Sequence, residues 1–329
     1  MAPRKGASVA LGGVPPGPQI AVVIPARDAA ATVARCVACV ARQQLDAPWR
    51  AILVDDGSSD DTASVAAAAA KQAGLDLRVE RLPAAGPAAA RNHGASLTDA
   101  PALAFLDADC FPAPGWLAAG LRALERAPLV QGRVVPDPEF VRGPFDRTLH
   151  VSGPSPLFES ANLFLAAELL ERLGGFESWL EPQVGKAVAE DVWLGWRARR
   201  SGARTAFAPD ALAHHAVFRE GALAHVLDQR RLAHFPAIAA RIPEIRGELF
   251  FARWFLSRRT AAFNLAALAL VTRRRAALAL ALPYLWMLLG EALPWRRLAP
   301  RVIPVRLAAD AVGLIALVRG SLRRRSPVL

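Results

Sequence analysis

The strongest constraint on this chain is a rhythm in its first hundred residues. Short apolar runs alternate with alanine-rich stretches, and three of the runs end in a charged cluster. I-A-V-V-I-P (20–25) leads into Arg27-Asp28, R-A-I-L-V (50–54) into Asp55-Asp56, and A-L-A-F-L (102–106) into Asp107-Ala108-Asp109. Apolar runs of this length, bounded by turn residues, read as buried strands, with a further strand at 77–81. The stretches 30–43, 62–74 and 87–98 read as helices between them. Strands alternating with helices predict an α/β chain with a Rossmann-like, doubly wound, mostly parallel sheet. Ligands of such sheets collect outside the carboxyl ends of the strands, which is where the three charged clusters fall.

The second half is less regular. Residues 130–160 mix strand-like and Gly/Pro-rich pieces, and 163–173 read as a helix closed by Gly174-Gly175. Glu190-Asp191 opens a helix, D-V-W-L-G-W-R-A-R-R, that stops at Ser201-Gly202. A strand-like A-R-T-A-F-A follows, then Pro209-Asp210 and the pair His214-His215. From about residue 222 the chain turns helical.

Charge separates the two parts of the chain. Residues 251–329 hold fourteen arginines against one Glu and one Asp, whereas the first 250 hold 26 basic and 27 acidic groups. A near-neutral body with a basic, apolar tail points to an anionic membrane surface as partner and away from nucleic acid. The three cysteines supply no disulfide framework. Cys36 and Cys39 form a C-x-x-C with no second pair to complete a zinc site, and they read as buried helix positions. The first 17 residues lack an apolar signal core and read as a flexible leader, which places the body on the cytoplasmic side.

Taken singly, the acidic motifs allow two readings each. Asp107 and Asp109 at a strand end can face one divalent cation and a substrate diphosphate, or form an ordinary Asx-turn. Asp55-Asp56-Gly57-Ser58 is a turn whose carboxylate can also accept a base N–H, and 59–62 supply a helix cap. Glu190-Asp191 can complement a helix dipole or provide a general base. Neither G-x-G-x-x-G nor G-K-[ST] occurs, which argues against a dinucleotide oxidoreductase or a P-loop NTPase.

In order, V-V-I-P-A-R-D, I-L-V-D-D-G-S-S-D-D-T, A-A-A-R-N-H-G-A, A-F-L-D-A-D-C, A-N-L-F-L-A-A-E-L-L-E-R-L-G-G-F-E and A-E-D-V-W-L-G-W-R-A-R-R-S-G closely resemble the family 2 inverting glycosyltransferases of the GT-A fold. The resemblance covers roughly residues 18–220. It implies a catalytic domain over 18–222, with a donor half at 18–112 and an acceptor half at 113–222. A helical, membrane-associating region then fills 223–329.

The resemblance also implies roles. Pro25, Ala26, Asp28, Asp56, Arg91 and Asp107 would line the nucleotide sugar, with Asp28 and Asp56 near the base and Arg91 near the phosphates. Asp109 would ligate Mg²⁺ or Mn²⁺ with Asp107 beside it, His215 is the candidate for a further ligand, and His93 reads as structural. Asp191 would be the catalytic base, next to Glu190. The implied reaction is metal-dependent, inverting transfer of one sugar from a nucleotide-diphosphate sugar, UDP first, to a lipid-linked or cell-envelope glycan. The competing reading is a catalytically silent nucleotide-sugar- or glycan-binding protein of the same fold. One departure bears on processivity. The Q-x-x-R-W string of processive synthases is replaced by Gln229-Arg230-Arg231-Leu232-Ala233, which fits single transfers.

Two apolar stretches of the tail approach membrane length. The first, 276–295, is interrupted by Pro283 and Glu291 and has arginines at both ends. The second, 302–318, contains Arg306 and Asp310. Helices lying in the interface, or a shallow hairpin on the cytoplasmic face, are the expectation rather than a span.

Overall fold

Ile20, Val22 and Ile24 turn to one face of the first strand and Ala21 and Val23 to the other, and each set joins a different hydrophobic core. This period of two, apolar on both sides, places the strand in the middle of a sheet covered on both faces. In the computed structural model, which describes residues 17–180, 189–272 and 279–329, the strand is β1 (Ile20–Ala26). The expected leader lies outside the described residues except for Gly17, as do Arg273–Arg275 and the first three residues of the 276–295 stretch.

The chain continues through α1 (Val33–Ala41), β2 (Trp49–Asp56), α2 (Thr62–Ala73), β3 (Leu77–Leu82), α3 (Pro87–Ser96), β4 (Ala102–Leu106) and β5 (Cys110–Pro112). Then come α4 (Trp116–Leu124), β6 (Leu129–Pro136), β7 (Asn162–Ala166), α5 (Ala167–Arg172), α6 (Glu190–Arg200) and β8 (Thr205–His215). The eight strands are ordered β3-β2-β1-β4-β7-β6-β8-β5. The β3-β2-β1-β4 half is parallel, as is β6 with β8, while β7 and β5 pair antiparallel with their neighbours. The expected α/β architecture holds, with a mixed second half.

One segment departs from expectation. Residues 163–173 are not one helix, because 162–166 form β7 between β4 and β6 and only 167–172 coil into α5. Leucines at helical spacing were recruited by pairing on both edges, where burial outweighs local propensity. The strand expected near 203–208 runs on to His215, alongside β6. Among the cysteines, Cys36 is buried and Cys39 half-buried, and all three are free thiols.

The centre of the sheet is pinned by a buried amide. Asn162 accepts a hydrogen bond from the Trp116 indole N–H (2.7 Å) and donates to the carbonyls of Arg133 (2.9 Å) and Ala211 (2.8 Å). It thereby ties β7 to α4, β6 and β8. Gly132 makes room for it, since a Cβ there would lie 2.2 Å from the amide nitrogen, and the β6–β8 register shifts at that residue. Register errors here would displace His215 at the end of β8.

Beyond β8 follow α7 (Ala222–Asp228), a 3-10 turn (Gln229–His234), α8 (Phe235–Arg241), α9 (Ile245–Glu248), α10 (Arg258–Thr272), α11 (Leu282–Ala292) and α12 (Ala299–Arg324). Leu317 of α12 and the buried Val328 share a core with Leu194 of α6 and Ile238 of α8, so the C-terminal helices are packed onto the catalytic body. Pro283 starts α11 instead of breaking a span. Among the described residues no helix is long and apolar enough to cross a membrane.

Asn162→Ala would leave three buried backbone and indole groups without partners. A loss of about 2–4 kcal/mol is expected, read as a lower urea midpoint.

Candidate active site

Parallel pairing brings the carboxyl ends of β1, β2 and β4 to one edge, and the loops that follow are laced together by their own side chains. Asp28 sits at φ 49°, a left-handed conformation that Asp tolerates. Its N–H donates to Ser58 Oγ (2.9 Å), while its carboxylate accepts the Ser59 N–H (2.8 Å) and hydroxyl (2.9 Å). Those two bonds from Ser59 hold the Asp28 carboxyl below its ordinary value. Asp55 accepts the N–H and hydroxyl of Ser58. Asp56 accepts the N–H groups of Ala85 (2.7 Å) and Gly86 (2.9 Å), with Arg27 at 3.8 Å. The turn depends on Gly57 at φ 67°, where a Cβ would meet the Ala84 nitrogen at 2.8 Å. Pro25 and Ala26 close β1 beside this turn, Ala26 in register with Asp55.

The N-cap of α2, Asp61, makes no side-chain cap hydrogen bond, and Asp60 just before it binds the start of the helix instead. It accepts the N–H of Thr62 (3.1 Å) and its hydroxyl, and the N–H of Ala30 (3.1 Å), so one carboxylate steadies two loops.

Two distant parts of the chain meet through Arg91. This buried side chain on α3 donates one N–H to Asp107 Oδ1 at the end of β4 and another to Glu190 Oε1 at the start of α6, each at 2.9 Å. Arg91 thus stands next to the expected phosphate region with two of its donors engaged by carboxylates. Burial lowers its proton affinity, yet Asp107, Glu190 and Asp191 together raise it above the ordinary arginine value.

Asp109 leads elsewhere. Its carboxylate lies 3.5 Å from Nε2 of His215, and with Cys110 they form a group whose ligand atoms all fall within 4.8 Å of one another. The antiparallel pairing of Cys110 with His215 creates this meeting. His215 Nδ1 lies 2.7 Å from the Ala216 carbonyl, which can only accept, so Nδ1 carries a proton and Nε2 is the ring nitrogen facing Asp109. Thr148 Oγ1 steadies the ring at 3.3 Å. A carboxylate oxygen and an oriented imidazole nitrogen fit a divalent cation. Burial pushes the Cys110 thiol well above its usual value, which keeps it protonated and unsuited to such an ion. Asp107 is held on Arg91 and does not belong to this cluster.

Glu190 and Asp191 begin α6 after Ala189, whose φ of 68° makes the sharp entry. Asp191 accepts the N–H of Val192 (2.8 Å) and, on its other oxygen, the N–H (3.2 Å) and hydroxyl (3.4 Å) of Ser160. Burial, and then the neighbouring Glu190, push the Asp191 carboxyl up to about 7, against the opposing pull of Arg91. One Glu190 oxygen accepts from Arg91, while the other is buried and has no hydrogen-bond partner among the described residues. Sequence reading missed Ser160, Thr148 and Cys110. Ser160 and Thr148 carry no local signal because they act on residues 31 and 67 positions away. The His93 backbone carbonyl accepts a hydrogen bond from the Ser96 hydroxyl (2.7 Å).

The comparisons bear on this arrangement. The sequence model described as Glycosyl transferase family 2 matches residues 21–167. The succinoglycan biosynthesis protein ExoU of Rhizobium meliloti (strain 1021) is 43% identical over 99 residues, 30% of this chain and 28% of that protein. The pre-mycofactocin glycosyltransferase of Mycobacterium tuberculosis (strain CDC 1551 / Oshkosh) is 32% identical over 229 residues, 61% of this chain and 44% of its own. The matches thus span less than half the length of either relative. The solved mannosyltransferase PcManGT of Pyrobaculum calidifontis, in complex with GDP-Man and Mn²⁺, aligns with a TM-score of 0.58 at 22% identity. That alignment covers 94% of this chain and 88% of that one.

Two outcomes are expected. The folded Asp191 binds its proton up to about pH 7, whereas the unfolded one releases it near the ordinary 3.8. The folded state therefore holds the extra proton between those values, and stability should fall as pH rises from about 4 to about 7. Urea midpoints across that window should show the slope, and Asp191→Asn should flatten it. Arg91→Met leaves two carboxylates uncompensated and should cost about 3–5 kcal/mol in the same assay.

Proposed function

We propose that this chain, which carries the GT-A fold and whose residues 21–167 match the model of Glycosyl transferase family 2, transfers one sugar from a nucleotide-diphosphate sugar to an acceptor hydroxyl with inversion. The observation that carries the reading is the Asp107–Arg91–Glu190 bridge, which joins the acid at the end of β4 to the start of the helix bearing Asp191.

Asp191 acts as the general base. Its position at about 7 lets it be ionised near neutrality while remaining basic enough to take a hydroxyl proton. As that proton moves to Asp191, the acceptor oxygen attacks the anomeric carbon from the face opposite the diphosphate. The bond to the diphosphate breaks with its electron pair, and no covalent enzyme intermediate forms. Ser160 and the Val192 N–H hold the carboxylate in place. Asp28 and Asp56 border the base and ribose pocket, with Pro25 and Ala26 as its floor and Asp107 toward the ribose. Asp109 and His215 would hold Mn²⁺ or Mg²⁺, which when bound neutralises charge on the departing nucleoside diphosphate.

UDP is the proposed nucleotide. The GDP-Man complex of the Pyrobaculum enzyme makes GDP-sugars the second arm to test. The acceptor is a lipid-linked or cell-envelope glycan, a choice supported by the succinoglycan biosynthesis relative and by the basic tail. The enzyme works at the cytoplasmic face of the membrane, peripheral or shallowly inserted. Single transfers agree with the packing of Leu232, from the string replacing Q-x-x-R-W, into the core shared by α6 and α12.

A thermal-shift and hydrolysis screen of UDP-, GDP- and dTDP-sugars with and without Mn²⁺ or Mg²⁺ tests this. One donor should stabilise the chain only with metal, and Asp109→Ala should abolish that shift. Asp191→Asn should keep binding and lose about 10²–10⁴-fold in turnover, and in the wild type the rate should rise with pH through about 7. Metal-dependent binding without turnover in the intact chain would favour the binding-protein reading, and no binding at all would reject the site.

A further inference from the structure

The α10–α11–α12 unit has its polarity reversed. Charge sits at its helix contacts: the half-buried Arg259 of α10 makes a bidentate pair with the half-buried Asp310 of α12 (2.6 and 2.9 Å) and reaches the exposed Glu291 of α11, and the Tyr284 hydroxyl donates to Asp310 (2.6 Å). The apolar contact between α10 and α11 uses small residues, Ala262 and Ala266, against Tyr284 and Leu288. The large side chains face outward instead. Val271 is 79% exposed, Trp286 81%, Leu282 63% and Leu293 67%. Charges and alanines at the helix contacts and leucines outside are an arrangement that water disfavours and a hydrocarbon boundary favours.

Charge decides what covers this face. The turn Leu293–Leu298 and the start of α12 present exposed Arg296, Arg297 and Arg301, none in an ion pair among the described residues. Two copies meeting through this face about a two-fold axis would bring those like charges together. An anionic lipid surface complements them.

The apolar edge continues toward the site. Arg306 of α12 donates to the Pro144 carbonyl (2.8 Å), and Phe145 stacks near His225 of α7 at 5.5 Å. These contacts tie α12 and α7 to the loop after β6, whose tip is Phe140 and Val141, the latter 91% exposed. That loop starts at Asp137, which donates its N–H to the His215 carbonyl (2.9 Å), so it stands beside the proposed cation ligand.

We propose that the outer faces of α10 and α11, rimmed by Arg296, Arg297 and Arg301, lie in the headgroup–acyl boundary of an anionic lipid leaflet, with the Phe140–Val141 loop as a second contact next to the site. This rests on the transferase reading above and specifies the surface from which a lipid-linked acceptor reaches Asp191.

The test is co-sedimentation of the full chain with phosphatidylcholine vesicles, with and without phosphatidylglycerol. The chain should sediment with the anionic vesicles and be released by high salt. Leu285→Glu/Trp286→Glu should weaken binding by at least about tenfold, and Val141→Glu by less. Donor hydrolysis without vesicles should stay unchanged in the α11 variant, which reports that it is folded. A wild-type chain left in the supernatant with anionic vesicles, or an α11 variant that sediments as well as wild type, overturns the proposal. So does a dimer, seen by analytical ultracentrifugation, that the α11 variant dissociates. Hydrolysis without vesicle binding would reject the membrane face alone, and vesicle binding without hydrolysis the transferase reading alone.

Discussion

A buried guanidinium is costly unless carboxylates compensate it, and Arg91 has them from two directions. Asp107 arrives from the end of a central parallel strand and Glu190 from the start of a helix 99 residues further along the chain than Arg91. Neither acid can move far without uncovering a charge in a poorly solvated place. The loop after β4 and the helix bearing Asp191 are therefore held at a set separation. The same field works on Asp191. Burial and Glu190 raise its proton affinity while Arg91 restrains the rise, leaving it at about 7.

The supporting contacts follow one pattern. Ser58, Ser59 and Thr62 neutralise the polar demands of Asp55, Asp28 and Asp60, so three acidic loop ends cluster with their charges hydrogen-bonded rather than left to repel one another. On the other side, Asn162 locks β6, β7 and β8, which delivers His215 to Asp109. The site is thus assembled from two halves of different sheet character, and the buried polar groups at their junction carry the geometry.

Much of this was legible in the residues. Apolar runs ending in Asp identified β1, β2 and β4 and the edge on which the acids gather, because an uninterrupted apolar run of that length must be buried on both faces. Asp109 and Asp191 stood out as candidates through ordered motifs, and His215 only through its place after the acid-bearing helix. The segment 163–173 was misread because its leucines satisfy helical spacing as well as strand burial, and only pairing with β4 and β6 separates the two. Ser160 and Thr148 were invisible because a hydroxyl that serves a distant side chain leaves no periodic trace.

The sequence by itself determined the layered α/β architecture, the acidic strand ends and the split between a neutral body and a basic tail, since these depend on local periodicity and composition. Only the tertiary structure decided that Arg91 is spent on two carboxylates and that Asp109 meets His215 while Asp107 does not. It also decided that Asp310 turns inward onto Arg259 with leucines turned out. Each of these is a pairing across tens to hundreds of residues, settled by which groups can share burial, and no local pattern encodes it.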